Sequence, residues 1–419
     1  MADATMPGPL RIGFVGSGFM AGFHLQALVG VRNVQVAGVF SPTPAHRESF
    51  AARANALELG PCVDYDSVEA LVAAPEIDAL WICAPNDTRL AHMRAIHGAI
   101  MAGRGTLRAV ACEKPLGRNL TEAREMLRLA DDARLNHGYL ENQVFAPAVQ
   151  RGKEIIWRRG VPGSGRPYLA RAAEEHSGPH TPWFWQGDRQ GGGVLSDMMC
   201  HSVEVARFLL TPPGRGRECL TLIDANATVA TLKWSRPAYA AQLRETMGPG
   251  VDYARRPAED FARATLTFRD EEGTTLIVEA TTSWSYVGPG LRIQLELLGP
   301  EYSMAFNSLN SGLSIFLSRQ VAGQTGEDMV EKQGAEQGLL PVLEDEAGTY
   351  GYIAEDRHMV EAFRRGVPPL ETFRDGVAVV EILMALYRSA ELGRTITLPD
   401  DELATYQPPV ARGTYRAQG

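Results

Sequence analysis

Residues 11–29 comprise the apolar run Arg11-Ile-Gly-Phe-Val15, the small-residue turn Gly16-Ser-Gly18-Phe-Met-Ala21, and a stretch with helical spacing that ends at Val29. This order predicts a strand, a tight turn and a helix. Small side chains in such a turn allow the backbone to approach a pyrophosphate at the N-terminus of the helix. In this context the stretch predicts a dinucleotide-binding site, and the alternative is a plain strand-to-helix turn.

Strands and helices alternate in the sequence that follows the glycine turn. Residues 34–40, 77–84 and 109–112 are typical of buried strands, and residues 44–59 and 121–135 are typical of helices. Alternation at this spacing predicts an α/β fold with a doubly wound parallel sheet, which we assign to a first domain over residues 8–140.

The composition and pattern of the sequence change at Glu141, where the segments become longer, more polar and richer in aromatic residues. Period-two strands at residues 264–269, 275–283 and 291–298, with helical spacing at residues 353–363 and 377–387, predict a second, sheet-rich domain over residues 141–400. Residues 322–348 are rich in Gly and Glu and predict a surface excursion. Residues 401–419 are expected to form a loose C-terminal tail.

Composition limits the classes of function. The chain has 419 residues, with 41 basic and 50 acidic side chains and a formal net charge of −9, so we expect neither a nucleic-acid partner nor an anionic membrane surface. We found no apolar run of membrane-spanning length and no signal-peptide pattern, which predicts a soluble cytoplasmic protein. Five widely spaced cysteines without a C-x-x-C pair suggest buried thiols rather than disulfides or a cysteine-rich zinc site.

The end of the second predicted strand bears on the choice between NAD and NADP. An NAD site usually places a carboxylate there to bind the ribose hydroxyls. Here Phe40 is followed by Ser41-Pro-Thr43, with Arg47 close behind. Hydroxyls and a guanidinium group suit a 2′-phosphate, so Ser41, Thr43 and Arg47 favour NADP slightly, although they are also compatible with a solvated helix start.

Two further motifs carry candidate chemistry. Glu113-Lys114-Pro115 ends a predicted strand, where a lysine can donate hydrogen bonds to a bound hydroxyl and stabilise developing negative charge. Downstream, Gly191-Gly-Gly-Val-Leu-Ser-Asp197-Met-Met-Cys-His201 places an aspartate and a histidine four residues apart, on one face of a helix. A solvated lysine and an exposed surface pair are the alternatives.

The segment from Glu174 to Arg189 is dense in aromatic and imidazole side chains. Indole faces can cover the C–H faces of a sugar while imidazoles bind its hydroxyls, so we regard His176, His180, Trp183 and Trp185 as candidate substrate contacts. For the two tryptophans, a role as core anchors is equally consistent with the sequence. The ligand types also allow a metal site, but Gly178-Pro179 breaks helical spacing between the first two histidines, and we expect no metal.

Five motifs in this order resemble the glucose-fructose oxidoreductase, inositol dehydrogenase and rhizopine catabolism family, known as Gfo/Idh/MocA. They are Gly16-Ser-Gly18-Phe-Met-Ala21, Ala84-Pro85-Asn86 with His92, Glu113-Lys114-Pro115, Asn142-Gln-Val-Phe145-Ala-Pro147, and Gly192-Gly-Val-Leu-Ser-Asp197-Met-Met-Cys-His201. The resemblance covers residues 11–398.

The resemblance implies an N-terminal Rossmann domain and a C-terminal α/β domain with an open, mostly antiparallel sheet. It also implies NAD(P)-dependent oxidation or reduction at a sugar or cyclitol carbon, and a homo-oligomer. Lys114, Asp197 and His201 match the family's catalytic positions, and Asn142 falls among the implied substrate contacts. The implied cofactor contacts are Gly16, Gly18, Phe19, Met20, Ala21, Pro85, Asn86, His92, Glu113 and Lys114.

Chemistry gives each catalytic candidate a role. Oxidation of a secondary alcohol sends hydride to nicotinamide while a base takes the hydroxyl proton, a task that suits His201. Lys114 would hold the reacting oxygen, and Asp197 would bind a neighbouring hydroxyl or tune its neighbours. The alternatives are a glycosidase that uses transient oxidation and a catalytically silent sensor. A sensor has no need of a proton relay, so the presence of both Lys114 and His201 argues against it.

Overall fold

The computed structural model describes residues 8–310, 313–317, 338–342 and 345–417. The chain divides into two compact units. Unit 1 comprises Met1–Ala146 and Tyr350–Val380, and unit 2 comprises Pro147–Thr349 and Glu381–Gly419. This division differs from the contiguous domains predicted from the sequence, because residues 141–146 and 350–380 belong to unit 1.

Unit 1 contains a six-stranded sheet in the order β3-β2-β1-β4-β5-β6, with every neighbouring pair parallel. The strands are β1 (Leu10–Val15), β2 (Val34–Phe40), β3 (Val63–Tyr65), β4 (Ala79–Ile82), β5 (Ala109–Glu113) and β6 (Asn136–Leu140). The predicted doubly wound parallel sheet is therefore confirmed. The order reverses direction beside β1, which is where such sheets bind ligands.

Unit 2 contains a seven-stranded mixed sheet in the order β12-β11-β7-β10-β9-β8-β15. Its strands are β7 (Leu169–Glu175), β8 (Leu220–Ala230), β9 (Phe261–Asp270), β10 (Thr275–Ser283), β11 (Arg292–Gly299), β12 (Tyr302–Asn307) and β15 (Ile396–Thr397). Only β7 and β10 pair in parallel among these described strands, so the expected open, mostly antiparallel sheet is confirmed.

The helices complete both units. In chain order they are α1 (Phe19–Leu28), α2 (Pro44–Ala56), α3 (Val68–Ala73), α4 (Asn86–Met101), α5 (Leu120–Asp132), α6 (Pro147–Ile155), α7 (Val161–Ser164), α8 (Gly187–Gln190), α9 (Val194–Leu210), α10 (Pro237–Met247), α11 (Glu346–Thr349), α12 (Tyr352–Arg365) and α13 (Phe373–Leu392). Among the described residues, no helix combines the length and apolarity needed to cross a membrane.

Helix α12 joins unit 1 although it lies more than 200 residues beyond β6 in the sequence. It packs against α1, and its buried face includes Tyr352, Asp356, Met359 and Phe363. Phe363 packs edge-on against the fully buried Trp81 of β4. The amphipathic spacing of residues 353–363 predicts a helix, but it does not identify the surface that this helix covers.

Two predicted surface segments have different outcomes. Within residues 322–348, the stretch 338–342 forms strand β14 (Gly338–Val342), which pairs with β13 (Leu313–Leu317), whereas residues 322–337 and 343–344 lie outside the described residues. The tail expected after residue 400 is described over residues 401–417. Leu403 and Val410 are buried there, and the Tyr415 hydroxyl lies 3.1 Å from Thr231 Oγ1.

Candidate active site

The glycine turn after β1 has the backbone that the sequence predicts. Gly16 has a φ of 106°, and a Cβ atom there would come within 2.9 Å of the Ala84 backbone nitrogen. A Cβ on Gly18 would meet nothing within 4 Å, so the backbone at the start of α1 faces open space. Ala21 is buried, whereas Phe19 is exposed and Met20 is half-buried. The turn thus provides room and N–H groups for a pyrophosphate.

The loop after β2 brings together the residues predicted to select the cofactor. Ser41 is buried, and its carbonyl accepts a hydrogen bond from Arg47 Nη1 at 3.3 Å. Thr43 is the residue before α2, and Arg47 Nε donates to the Asp64 carboxylate of β3 at 3.1 Å. Sequence reasoning missed Asp64 because β3 has only three residues, of which Val63 and Asp64 are exposed.

The turns after β4 and β5 are joined by a side chain that sequence reasoning also missed. The buried guanidinium group of Arg89 donates to three backbone carbonyls, those of Ala84, Glu113 and Pro115. Pro85 and the buried Asn86 lie at the start of α4, and the ring of His92, in the next turns of that helix, lies 5.8 Å from Phe40. These contacts keep the two turns at one edge of the sheet.

Glu113 belongs to a buried network that begins at His24 of α1. His24 Nε2 lies 2.9 Å from Glu113 Oε1, and His24 Nδ1 lies 3.0 Å from Asp356 of α12. Trp81 Nε1 also donates to Asp356, at 3.0 Å. Burial alone would lower the pKa of His24, but the two carboxylates outweigh it and raise the pKa well above its usual value. The imidazole of His24 is therefore held as a cation between these two carboxyl groups.

The carboxylate of Glu113 in turn supports Lys114. Its Oε2 atom accepts a hydrogen bond from the Lys114 backbone N–H at 3.0 Å, and the Lys114 side chain is half-buried.

The buried Asn142, after β6, donates a hydrogen bond from its side-chain amide to the Tyr350 carbonyl at 2.8 Å. The predicted residues of unit 1 therefore follow β1, β2, β4, β5 and β6, and the carboxyl ends of parallel strands share one edge of the sheet.

In unit 2, Asp197 and His201 lie on α9, a helix that is buried along its whole length. Each residue is 3% exposed, so the alternative of an exposed surface pair was wrong. Trp284 Nε1 lies 3.3 Å from Asp197 Oδ2 and donates to it. A carboxylate can accept a hydrogen bond from a hydroxyl, and an imidazole can take a hydroxyl proton.

The N-terminus of α9 is held by two residues that sequence reasoning missed. Glu259 Oε1 accepts hydrogen bonds from the Gly193 and Leu195 N–H groups at 2.9 and 3.2 Å, and from the Tyr387 hydroxyl at 2.5 Å. A Cβ on Gly193 would collide with Glu259, and one on Gly192 would collide with Tyr387. The glycines before the aspartate thus admit these two side chains. Burial raises the pKa of Glu259 to about 7 despite the hydrogen bonds.

The aromatic loop of unit 2 separates into buried and surface residues. Trp185 is 1% exposed, and its ring centroid lies 5.0 Å from that of Trp284, which is the core-anchor arrangement. His176 is also buried, and its Nδ1 accepts the Gly178 N–H at 2.9 Å. In contrast, His180 is exposed, and the half-buried Trp183 stacks on Phe184 with ring centroids 3.9 Å apart.

Comparisons with family models cover both domains. Residues 10–137 match the model described as an oxidoreductase family with an NAD-binding Rossmann fold, and residues 163–304 match the GFO/IDH/MocA C-terminal domain. The resemblance drawn from the five motifs is therefore confirmed.

Individual relatives align along nearly the whole chain. Inositol 2-dehydrogenase of Rhizobium meliloti is 23% identical over 93% of this chain and 99% of its own length. D-glucoside 3-dehydrogenase of Escherichia coli is 27% identical over 95% of this chain and all of its own length. The crystal structure of GenD2 from gentamicin A biosynthesis, in complex with NAD, is 24% identical with a TM-score of 0.74, and the match covers 94% of this chain and 98% of that one. Since the motifs, both domain models and the fold agree, the chain belongs to the Gfo/Idh/MocA family of oxidoreductases.

Proposed function

We propose that the chain transfers a hydride between a nicotinamide cofactor and a secondary alcohol or ketone of a sugar, glycoside or cyclitol. The observation that best supports this proposal is the buried pair Asp197 and His201 on α9, which could accept a proton. The N-terminal domain of the same chain matches an NAD-binding Rossmann fold. The relatives named above act, by their names, on an inositol and on a glucoside.

Each residue has one task in the proposed reaction. The nicotinamide cofactor, when bound, supplies the hydride acceptor. The imidazole of His201 accepts the proton of the reacting hydroxyl, and it returns that proton in the reductive direction. The Lys114 ammonium group donates a hydrogen bond to the same oxygen and stabilises its developing negative charge. Asp197, oriented by the Trp284 N–H, accepts from a neighbouring hydroxyl and fixes which carbon reacts.

The substrate contacts proposed for unit 2 differ in exposure. His180 and Trp183 reach the surface, so they can bind a sugar directly, with the indole covering a C–H face. His176 and Trp185 are buried, so they support the same loop from inside. We also propose that Asn142 of unit 1 orients a substrate hydroxyl.

The test is a panel of monosaccharides, glycosides and inositols assayed with both cofactors at the nicotinamide absorbance band. A stoichiometric absorbance change with one class of compound supports the proposal. Release of free sugar without net absorbance change would contradict it and favour the glycosidase. Binding of sugar without either change would favour the sensor.

The slight preference for NADP remains part of the proposal and is expected to depend on Arg47. Its ion pair with Asp64 is partly exposed, so a 2′-phosphate can replace the carboxylate at small cost. We expect the wild type to have a lower KM for NADP than for NAD. Arg47→Ala should raise the KM for NADP about tenfold and leave that for NAD nearly unchanged, because only NADP loses a charge-assisted hydrogen bond. A lower wild-type KM for NAD would refute this preference.

The variant Gly18→Ala is expected to weaken cofactor binding without changing the stability of the fold. Because a Cβ at Gly18 meets no protein atom within 4 Å, the melting temperature should stay close to that of the wild type. The same methyl group would stand where the pyrophosphate approaches, so we expect the cofactor dissociation constant to rise at least about tenfold. Gly98→Ala, which also meets no neighbour within 4 Å but lies inside α4, is the matched control. Unchanged cofactor binding in Gly18→Ala would place the pyrophosphate elsewhere.

We further propose that the protein works in the cytoplasm as a homo-oligomer, a dimer or a tetramer. Support for the first point is that all five cysteines are thiols and none is in a disulfide, as is usual in reducing compartments. The oligomer rests on the family resemblance. Light scattering of the purified chain should give a mass of two or four times 45.6 kDa, and a monomeric mass would contradict it.

A further inference from the structure

Lys114 and Glu141 occupy equivalent positions on neighbouring strands of unit 1. Glu113 of β5 and Leu140 of β6 are register partners, and each strand ends at that pair. Lys114 and Glu141 are therefore the next residues at the same edge of the sheet, where adjacent parallel strands are about 4.8 Å apart. Glu141 is fully buried, and the family motifs do not include it.

The pKa values of Glu113, which precedes Lys114, and of Glu141, at the end of the neighbouring strand, are shifted in opposite directions. Burial would raise the pKa of Glu113, but the hydrogen bond and charge of His24, with Lys114 and Arg89, lower it below its usual value. Burial raises the pKa of Glu141 to about 8, although the Lys114 charge and the Gln143 N–H oppose the rise. Near neutral pH, Glu113 is an anion and Glu141 is a neutral acid. Such divergent pairs are typical of sites that handle protons.

We propose that Glu141 is a positioning residue that decides whether the Lys114 ammonium group points to the reacting oxygen or is held by a neighbouring carboxylate. The inference rests on the role proposed above for Lys114. While its carboxyl group is protonated, Glu141 carries no charge, and Lys114 donates to the substrate oxygen. When the O–H bond of Glu141 breaks and its proton passes to water, the buried carboxylate attracts the ammonium group and competes with the substrate.

Other carboxyl groups of unit 1 interact with this pair or with its neighbours. The hydrogen bond and charge of His24 lower the pKa of Glu113, whereas burial raises the pKa of Glu355 of α12, which also interacts with the charge of Glu141, well above its usual value. Asp356 of the same helix is bound to His24 and Trp81. We assign the change near pH 8 to Glu141, whose pKa is raised to about 8, and Glu355→Gln is the control for the other buried carboxyl group.

The first experiment compares the pH profile of kcat in the wild type, Glu141→Gln and Glu355→Gln. We expect wild-type kcat to fall above about pH 8. Glu141→Gln should retain most of the activity at neutral pH, with the alkaline fall moved up by at least about one pH unit, because the amide cannot ionise. Glu355→Gln removes another buried carboxyl group of unit 1 and should leave the fall in place. An alkaline fall near pH 8 that persists in Glu141→Gln would overturn the inference.

The second experiment needs no substrate, so its outcome is independent of the proposed function. Infrared difference spectra of the wild type should show a protonated carboxyl band that disappears as the pH rises through about 8. The same band, with the same midpoint, should be present in Glu355→Gln. In Lys114→Met the band should titrate at higher pH, because the cation that lowers the pKa of Glu141 is gone. The same midpoint in Lys114→Met and the wild type would show that the two groups are not coupled. This comparison stands even if Glu141→Gln does not fold.

Discussion

Replacement of His201 by asparagine should lower kcat by about 10²- to 10⁴-fold, the usual contribution of a positioned general base. The asparagine amide can still bind a hydroxyl but cannot take its proton, so KM should change much less than kcat. The cofactor dissociation constant, measured by fluorescence titration, should stay near the wild-type value because His201 belongs to unit 2 and the dinucleotide fingerprint to unit 1.

Two controls distinguish a catalytic role for His201 from a structural one. The residue is 3% exposed, so its truncation costs about 1–3 kcal/mol of stability, which thermal unfolding will report. His97→Asn makes the same chemical change on α4, where the imidazole pairs with Asp132 at the surface, and should leave kcat unchanged. Near-normal turnover in a folded His201→Asn variant would remove this residue from the mechanism.

Replacement of Lys114 by methionine should lower kcat/KM by about 10²- to 10³-fold, the range for loss of one donor to a developing oxyanion. Methionine keeps the unbranched apolar chain but supplies no charge and no N–H. The backbone contact with Glu113 does not involve the lost amine, so the fold of the turn should persist.

Lys233→Met is the matched control for the lysine substitution. This residue of unit 2 is half-buried, with its amine 4.2 Å from the centroid of the Trp234 ring. The variant should lose some stability but keep kcat/KM. If both methionine variants lost activity equally, the effect at Lys114 would be a general consequence of losing a partly buried cation.

The sequence by itself determined the elements whose signals are local. Strands β2 and β10 have the predicted bounds, residues 34–40 and 275–283, because a buried strand is recognisable from consecutive apolar or alternating side chains. The glycine turn was also predictable, because the φ of 106° at Gly16 requires glycine whatever surrounds it. The order of five such motifs was sufficient to identify the family.

Tertiary structure decided everything that depends on partners distant in the chain. His24 and Asp356 are separated by 332 positions, and Gly193 and Tyr387 by 194, yet each pair forms hydrogen bonds that hold a candidate catalytic segment. The spacing of apolar residues along a helix does not indicate which surface the helix packs against. Helix α12 could therefore be predicted as a helix but not as part of unit 1. The physical reason is that periodicity reports which face of an element is buried, whereas the identity of the burying group and the resulting pKa values follow only from packing.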